Sequence, residues 1–277
     1  MMNNETKLDI TLTVLEVKYE SLKPYIYNYW LFISSEKPNL CAAITAPPLG
    51  FPMLQFVFGN CESYYQIRNK NTTSIITGIY SKHATLTPAP KMGLVTINFK
   101  PYGFYNFFGK TPPNGTQDSI DGYDIFKKEN LNSAIENISI TETNDELVNC
   151  LEDFLFKNQK VNVKKNDYFD SLVDKIFAKK GLIDIDKLIN EKFSIRTFQR
   201  YFSKVLGVSP KTFSRILRHK YIIQLMYTKP NISWNDLCFQ GFYFDQSHFI
   251  KDFKDFTKCK PTEYDYLKTS IIYELFK

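Results

Sequence analysis

The sequence predicts an α+β protein: an antiparallel β sandwich or barrel with a few helices, followed by an all-α domain holding two helix-turn-helix motifs joined by a linker helix. Three observations predict it. Alternating apolar runs rich in β-branched and aromatic residues fill residues 8 to about 100. One helical pattern is written twice between Ser194 and Tyr264, the copies 51 positions apart. The charge is divided as well: residues 161–277 carry 21 Lys+Arg against 13 Asp+Glu, a net of +8, whereas residues 1–160 carry 14 against 16, a net of −2.

Residues 8–17 alternate at period two, and residues 25–33 form an aromatic, β-branched strand. Further strands are expected at 54–58, 74–80 and 94–99, separated by the turn signals Pro47-Pro48, Gly59-Asn60 and Pro88-Ala89-Pro90. Short strands at such spacing belong to a small sandwich or barrel. Trp30 is read as core, with lining of an apolar pocket as the alternative. After a loop at 111–115, helices are expected near 120–128, 131–138 and 143–158, and the polar run 157–166 is read as a linker. The boundary between a β-rich domain, 1–160, and a helical domain, 161–277, is placed there.

The repeated pattern opens on a good N-cap, Ser194 or Asp245. It sets aromatics four apart on one face, Phe198 and Phe202 or Phe249 and Phe253. It closes on a proline followed three residues later by a ring, Pro210 and Phe213 or Pro261 and Tyr264. A short apolar helix signal precedes each cap, Ile185-Leu188-Ile189 and Ile232-Leu237-Cys238. Short helix, tight turn and capped longer helix make a helix-turn-helix. Between the copies, Phe213, Ile216, Leu217, Tyr221 and Leu225 form the stripe of a connecting helix from Pro210 to about Tyr227. Its ~18 residues would span ~27 Å at 1.5 Å per residue, a length suited to placing two reading helices about one DNA turn, ~34 Å, apart.

On these residues, the stretch from about Asp167 to Lys268 resembles the DNA-binding domain of AraC/XylS-type bacterial transcription regulators. The resemblance rests on Ser194-x-Arg196-x-Phe198-x-Arg200-x-Phe202, Gly207-x-Ser209-Pro210-x-x-Phe213, Asp245-Gln246-Ser247-x-Phe249-x-x-x-Phe253-Lys254 and Pro261-x-x-Tyr264. Three positions depart from the family pattern. Phe242 stands where a glycine is usual, Ile189 where an alanine is usual, and Lys258 and Lys260 where a glycine and a hydroxyl residue precede the second proline. The last of these removes the usual cap of the final helix. Less specifically, Pro24-x-x-x-x-Tyr29-Trp30 and Phe99-x-Pro101-x-Gly103 resemble the cupin-like β domain ahead of this module in some family members, where it senses a small molecule or dimerises.

With Phe198 and Phe202 inward, Arg196, Thr197, Gln199, Arg200 and Lys204 face outward. Arginine can pair with guanine and glutamine with adenine through two hydrogen bonds each. The resemblance implies base contacts at Arg196 and Gln199 and supporting contacts at Arg200, whose alternative is a solvated or salt-bridged residue. The second helix exposes Gln246, Ser247, His248 and Lys251. The resemblance implies base contacts at Gln246, Ser247 and Lys251 and a phosphate contact near Lys254, whereas His248 is alternatively a neutral partner within the domain. Ser209 and Lys211 would hold a phosphate at the start of the connecting helix, with a structural cap the alternative for Ser209. The implied partner is double-stranded DNA, read in the major groove over two adjacent turns; a small-molecule effector, RNA polymerase and a second copy of the chain are compatible with the resemblance.

Other classes fare worse. The three histidines, His83, His219 and His248, lack neighbours at metal-ligand spacing, and there is no Gly-rich phosphate loop or G-x-S-x-G elbow. Asp118, Asp121 and Asp124 lack the twelfth-position glutamate of a calcium loop and are read as a helix-start acidic face. No enzyme, cofactor or metal is expected. Five scattered cysteines without a C-x-x-C pair, a polar start at residues 1–9 and the lack of any apolar run near ~20 residues lead to the expectation of reduced thiols in a cytoplasmic protein outside any membrane. The competing reading is a ligand-binding or protein-interaction module whose helix-turn-helix domain no longer binds DNA.

Overall fold

Side chains on successive strand residues point to opposite faces, so a sheet apolar at both phases of its strands needs cover on both sides. That is what the computed structural model contains. It describes residues 10–36, 44–60, 66–67, 70–86, 89–113, 119–160, 163–189, 194–229 and 231–264. Strands β1 (Ile10–Leu15), β2 (Ile26–Ser34), β4 (Met53–Gly59), β7 (Ser74–Thr77), β9 (Met92–Phe99) and β10 (Ile120–Asp121) form one antiparallel sheet in the order β1-β2-β9-β4-β7-β10. Two ribbons accompany it: β3 (Ile44–Ala46) with β8 (Ala84–Leu86), and β5 (Gln66–Ile67) with β6 (Lys70–Asn71). One sheet face sends Tyr29, Leu54, Phe56, Ile76, Val95 and Ile97 into a core shared with helices α1 (Gly103–Phe108), α2 (Lys128–Ile140) and α3 (Asn144–Asn158). The opposite face buries Trp30, Phe32, Met53, Val57, Ile75 and Leu94 beneath Leu49 and Phe51.

The helix expected near 120–128 is not formed. Residues Ile120 and Asp121 pair with Ile76 and Ile75 as the edge strand, and Asp121 then caps a 3₁₀ turn by accepting from the Tyr123 amide at 3.1 Å. Asp121 also accepts from the Thr72 hydroxyl at 2.8 Å, so its extended conformation is held from two sides. Asp118, Cys41 and Cys61 lie outside the described residues.

Helices α4 (Asp167–Ala178), α5 (Ile185–Leu188), α6 (Ile195–Leu206), α7 (Pro210–Thr228), α8 (Trp234–Gln240) and α9 (Gln246–Thr257) make up the rest, closed by a 3₁₀ turn at Pro261–Glu263. They are not set apart on a free tether. In the polar run after α3, the Lys160 amide donates to the Phe107 carbonyl at 3.1 Å, and Lys165 hydrogen-bonds the Tyr25 hydroxyl. Ile79 and Tyr102 of the β part are buried in the core of α4, α6 and α7. At Gly50, with φ +82°, a side chain would come within 2.7 Å of Leu217 on α7. The Nε2 atoms of His83 and His219 share a hydrogen bond of 2.9 Å across the boundary. Burial depresses both imidazoles: His83 is lowered to about 4, and His219 is held well below the usual histidine range by burial, then by His83 and Arg215. Both shifts favour neutral rings at neutral pH, and the shared hydrogen bond itself needs only that the accepting Nε2 carry no proton.

On the other side of the boundary, the Tyr102 hydroxyl donates to Asp174 at 3.0 Å and the Asn106 amide to Asp170 at 2.7 Å. Burial raises the Asp170 carboxyl to about 7; Asp167 and Asp174 add to the rise, and the Asn106 bond and Lys165 oppose it. An unfolded aspartate titrates near ~3.9. The native state thus favours the protonated acid, and this group's contribution to stability is full below about pH 4 and lost as pH rises through about 7. Asp170→Asn, which keeps an acceptor for Asn106 and cannot ionise, should melt higher than the parent protein at about pH 8, with the gap narrowing as pH falls through about 7 and closing by about pH 4.

Trp30 is only 5% exposed and meets Phe51 edge-on at 5.8 Å and Phe32 at 6.4 Å. Its removal would leave a large void between sheet and cover. Trp30→Ala should cost about 3–5 kcal/mol, seen as a lower melting temperature and urea midpoint.

Candidate nucleic-acid interface

Both reading helices begin on the expected caps. The Ser194 hydroxyl accepts from the Thr197 amide at 3.2 Å at the head of α6, and Asp245 accepts from the His248 amide at 2.7 Å at the head of α9. Each cap satisfies one of the amides that a helix start leaves open. Phe198 and Phe202 are buried 5.4 Å apart, as are Phe249 and Phe253 at 5.8 Å. That inward anchoring fixes which face of each helix looks outward.

All twelve residues expected to read DNA are exposed. Gln199, Lys211, His248 and Lys251 converge on one open groove of about 730 Å³ between the two motifs, joined there by Arg215 and Arg218 of α7. Arg196, Thr197 and Arg200 lie on the same helix as Gln199 but outside the groove lining. Lys204 takes another direction, its ammonium 5.7 Å from the Tyr105 ring of the β part. Ser209 is a structural cap of α7, accepting from the Thr212 amide at 3.1 Å. Gln246 donates to Asn235 of α8 at 2.6 Å, and the His248 ring lies edge-on to Tyr243 at 5.3 Å.

Arg215 and Asp252 were not visible from sequence as a pair. The Arg215 Nε donates to Asp252 at 2.7 Å and its Nη2 to Asp255 at 2.9 Å, and the buried Asp252 also accepts from the Tyr243 hydroxyl at 2.9 Å. This knot ties α9 to α7 and to the turn before α9. The only sequence trace is two acids three apart on α9, which reads equally well as a solvated helix face.

The departures at the second motif are backbone events. Helix α8 closes with the Tyr243 amide donating to the Cys238 carbonyl at 2.9 Å and Phe242 at φ +53°, the left-handed position that usually takes glycine. Lys258 ends α9 at φ +67°, as Gly207 ends α6 at φ +77°. The turns are kept, with bulky residues in a region that costs an L side chain ~1–2 kcal/mol. At the 3₁₀ turn Pro261–Glu263 the Lys260 side chain makes no cap bond to the turn, and the Lys260 amide instead donates to the Glu263 carboxylate at 3.1 Å. Ile189 ends the one-turn helix α5, half-buried against the core of α4, α6 and α7. Since glycine gives back ~0.5–1 kcal/mol through its looser unfolded state, Phe242→Gly should stabilise the fold by about 0.5–1 kcal/mol, raising the denaturation midpoint without changing the slope.

Residues 191–265 match the family of helix-turn-helix domains, and residues 19–121 match a domain of unknown function, DUF6597. No curated protein matches the chain. Solved structures of ToxT from Vibrio cholerae are similar over most of both chains. One at 1.65 Å resolution is 14% identical, covers 94% of this chain and 98% of its own, and has a TM-score of 0.42. A second, bound to (E)-4-(8-methylnaphthalen-1-yl)but-3-enoic acid, is 13% identical with 94% and 99% covered and a TM-score of 0.44. A third, bound to an unsaturated fatty acid, is 13% identical with 95% and 96% covered and a TM-score of 0.40. With the paired capped helices in place, residues 191–265 are a helix-turn-helix domain.

Proposed function

We propose that this protein is a cytoplasmic, sequence-specific transcription regulator, dividing near residue 160 into a β-rich sensing domain and a DNA-reading domain. The observation that carries this reading is the pair of capped helices, α6 and α9, each holding its aromatics inward and its polar face open on either side of a groove floored by α7. At 19 residues α7 spans about 28 Å, close to one turn of duplex. Arg196 is assigned a guanine, Gln199 and Gln246 adenines, and Ser247 and Lys251 further base edges. Thr197, Arg200, Lys211 and Lys254 hold the phosphates, with His248 at the groove and Ser209 capping the helix that presents Lys211. The excess positive charge of residues 161–277 supplies the nonspecific part of the affinity.

Response to a small molecule is assigned to the β part. Its support is the tight boundary: His83 on His219 and Tyr105 beside Lys204 join that part to α7 and α6, so a ligand that shifts the β part would be felt at the reading helices. RNA polymerase and a second copy of the chain are the protein partners this reading implies.

The test is a mobility-shift titration of the full-length protein with DNA upstream of its own gene. Affinity should fall steeply with salt, and Arg196→Ala should lose about 1–3 kcal/mol on the preferred site while relaxing base choice in one half of it. Failure of the folded full-length protein to bind any duplex at low salt would sink the regulator reading.

A further inference from the structure

Three phenylalanines within six residues, Phe239, Phe242 and Phe244, are 82%, 71% and 93% exposed. They sit at the end of α8 and in the turn that leads into α9. Tyr243, between the last two, is buried with its hydroxyl on Asp252. It pins the turn inward and leaves its neighbours on the outside. Phe242 is moreover held at φ +53°, where glycine would be favoured on every structural ground. A bulky apolar side chain kept in a strained backbone position, facing water, marks a surface with a task rather than a fold requirement.

The location indicates the partner. Phe244 directly precedes the Asp245 cap, and the residues after that cap, Gln246 and Ser247, are exposed at the start of α9. The apolar patch is thus continuous with the head of a reading helix. In the major groove, apolar side chains such as phenylalanine recognise one base feature, the 5-methyl group of thymine. Resting on the proposed regulator function, we infer that Phe242 and Phe244 are specificity-determining residues that pack on thymine methyl groups at the edge of the half-site read by α9. The chain would then prefer A·T pairs beside the bases contacted by Gln246 and Ser247.

The experiment uses full-length protein and a pool of random duplexes to recover its preferred site, followed by versions of that site in which single thymines are replaced by deoxyuridine. Deoxyuridine pairs identically and lacks only the methyl. Each methyl that touches a phenylalanine should be worth about fourfold in affinity. The variant carrying Phe242→Gly and Phe244→Ala should bind the thymine site at the level the parent shows for the deoxyuridine site, and should be indifferent to the replacement. Melting curves establish that this variant is folded. If the parent binds its site but ignores every replacement, or the variant keeps the same sensitivity, the assignment is overturned while the regulator function stands. Retained DNA binding by the variant with loss of a protein contact would also overturn it, in favour of a protein-docking patch. If the parent binds no duplex, both fall together.

Discussion

Helix α7 is the constraint on which the rest of the structure depends. Ten of its nineteen residues are buried, far more than the single stripe that a surface helix devotes to one core. Phe213, Ile216 and Leu217 serve the first motif, and Ile222, Ile223, Leu225 and Met226 serve the second. Leu217 and His219 also meet the β part at Gly50 and His83. One rigid element therefore fixes three neighbours at once, and the relative placement of α6 and α9 follows from its length and phase.

Burial on that scale makes an unpaired polar group on α7 costly, and two of its side chains are paired across element boundaries. His219 stacks on Phe256 of α9 with centroids 4.4 Å apart and planes 9° from parallel, while its Nε2 meets His83. The same imidazole thus touches the second motif and the β part. Arg215, at the groove, is matched to Asp252 and Asp255. Removing an acid from such a partly buried arrangement leaves a charge that must be resolvated, so the knot favours one orientation of α9 against α7.

The second motif accepts local strain that the first avoids. Gly207 ends α6 without penalty, whereas Lys258 at the equivalent place, and Phe242 at the turn before α9, hold left-handed backbone with full side chains. The surrounding contacts, Tyr243 on Asp252 and Phe253 beneath Tyr264, over-determine those turns and let the strain persist. Local propensity and global fold disagree at these positions, as they do where sequence is kept for something other than stability.

Much of this was legible in the sequence, because caps and aromatic spacing are local. Ser194, Asp245, the buried phenylalanine pairs, the extent of α7 and the main strands follow from periods of 3.6 and 2 and from which residues satisfy open helix-start amides. What only the tertiary structure decided is non-local. The edge strand at Ile120 exists because Ile76 lies beside it, and the segment reads as a helix when that partner is unknown. Asp252 looks like a surface acid until Tyr243 and Arg215 are brought to it. His83 and His219, 136 positions apart, have no sequence relation at all, and their contact arises because one face of α7 was left for the β part. The physical reason is the same in each case: a helix or strand announces its own conformation through short-range periodicity, whereas the partner that buries its remaining polar or apolar group is set by packing across the whole chain.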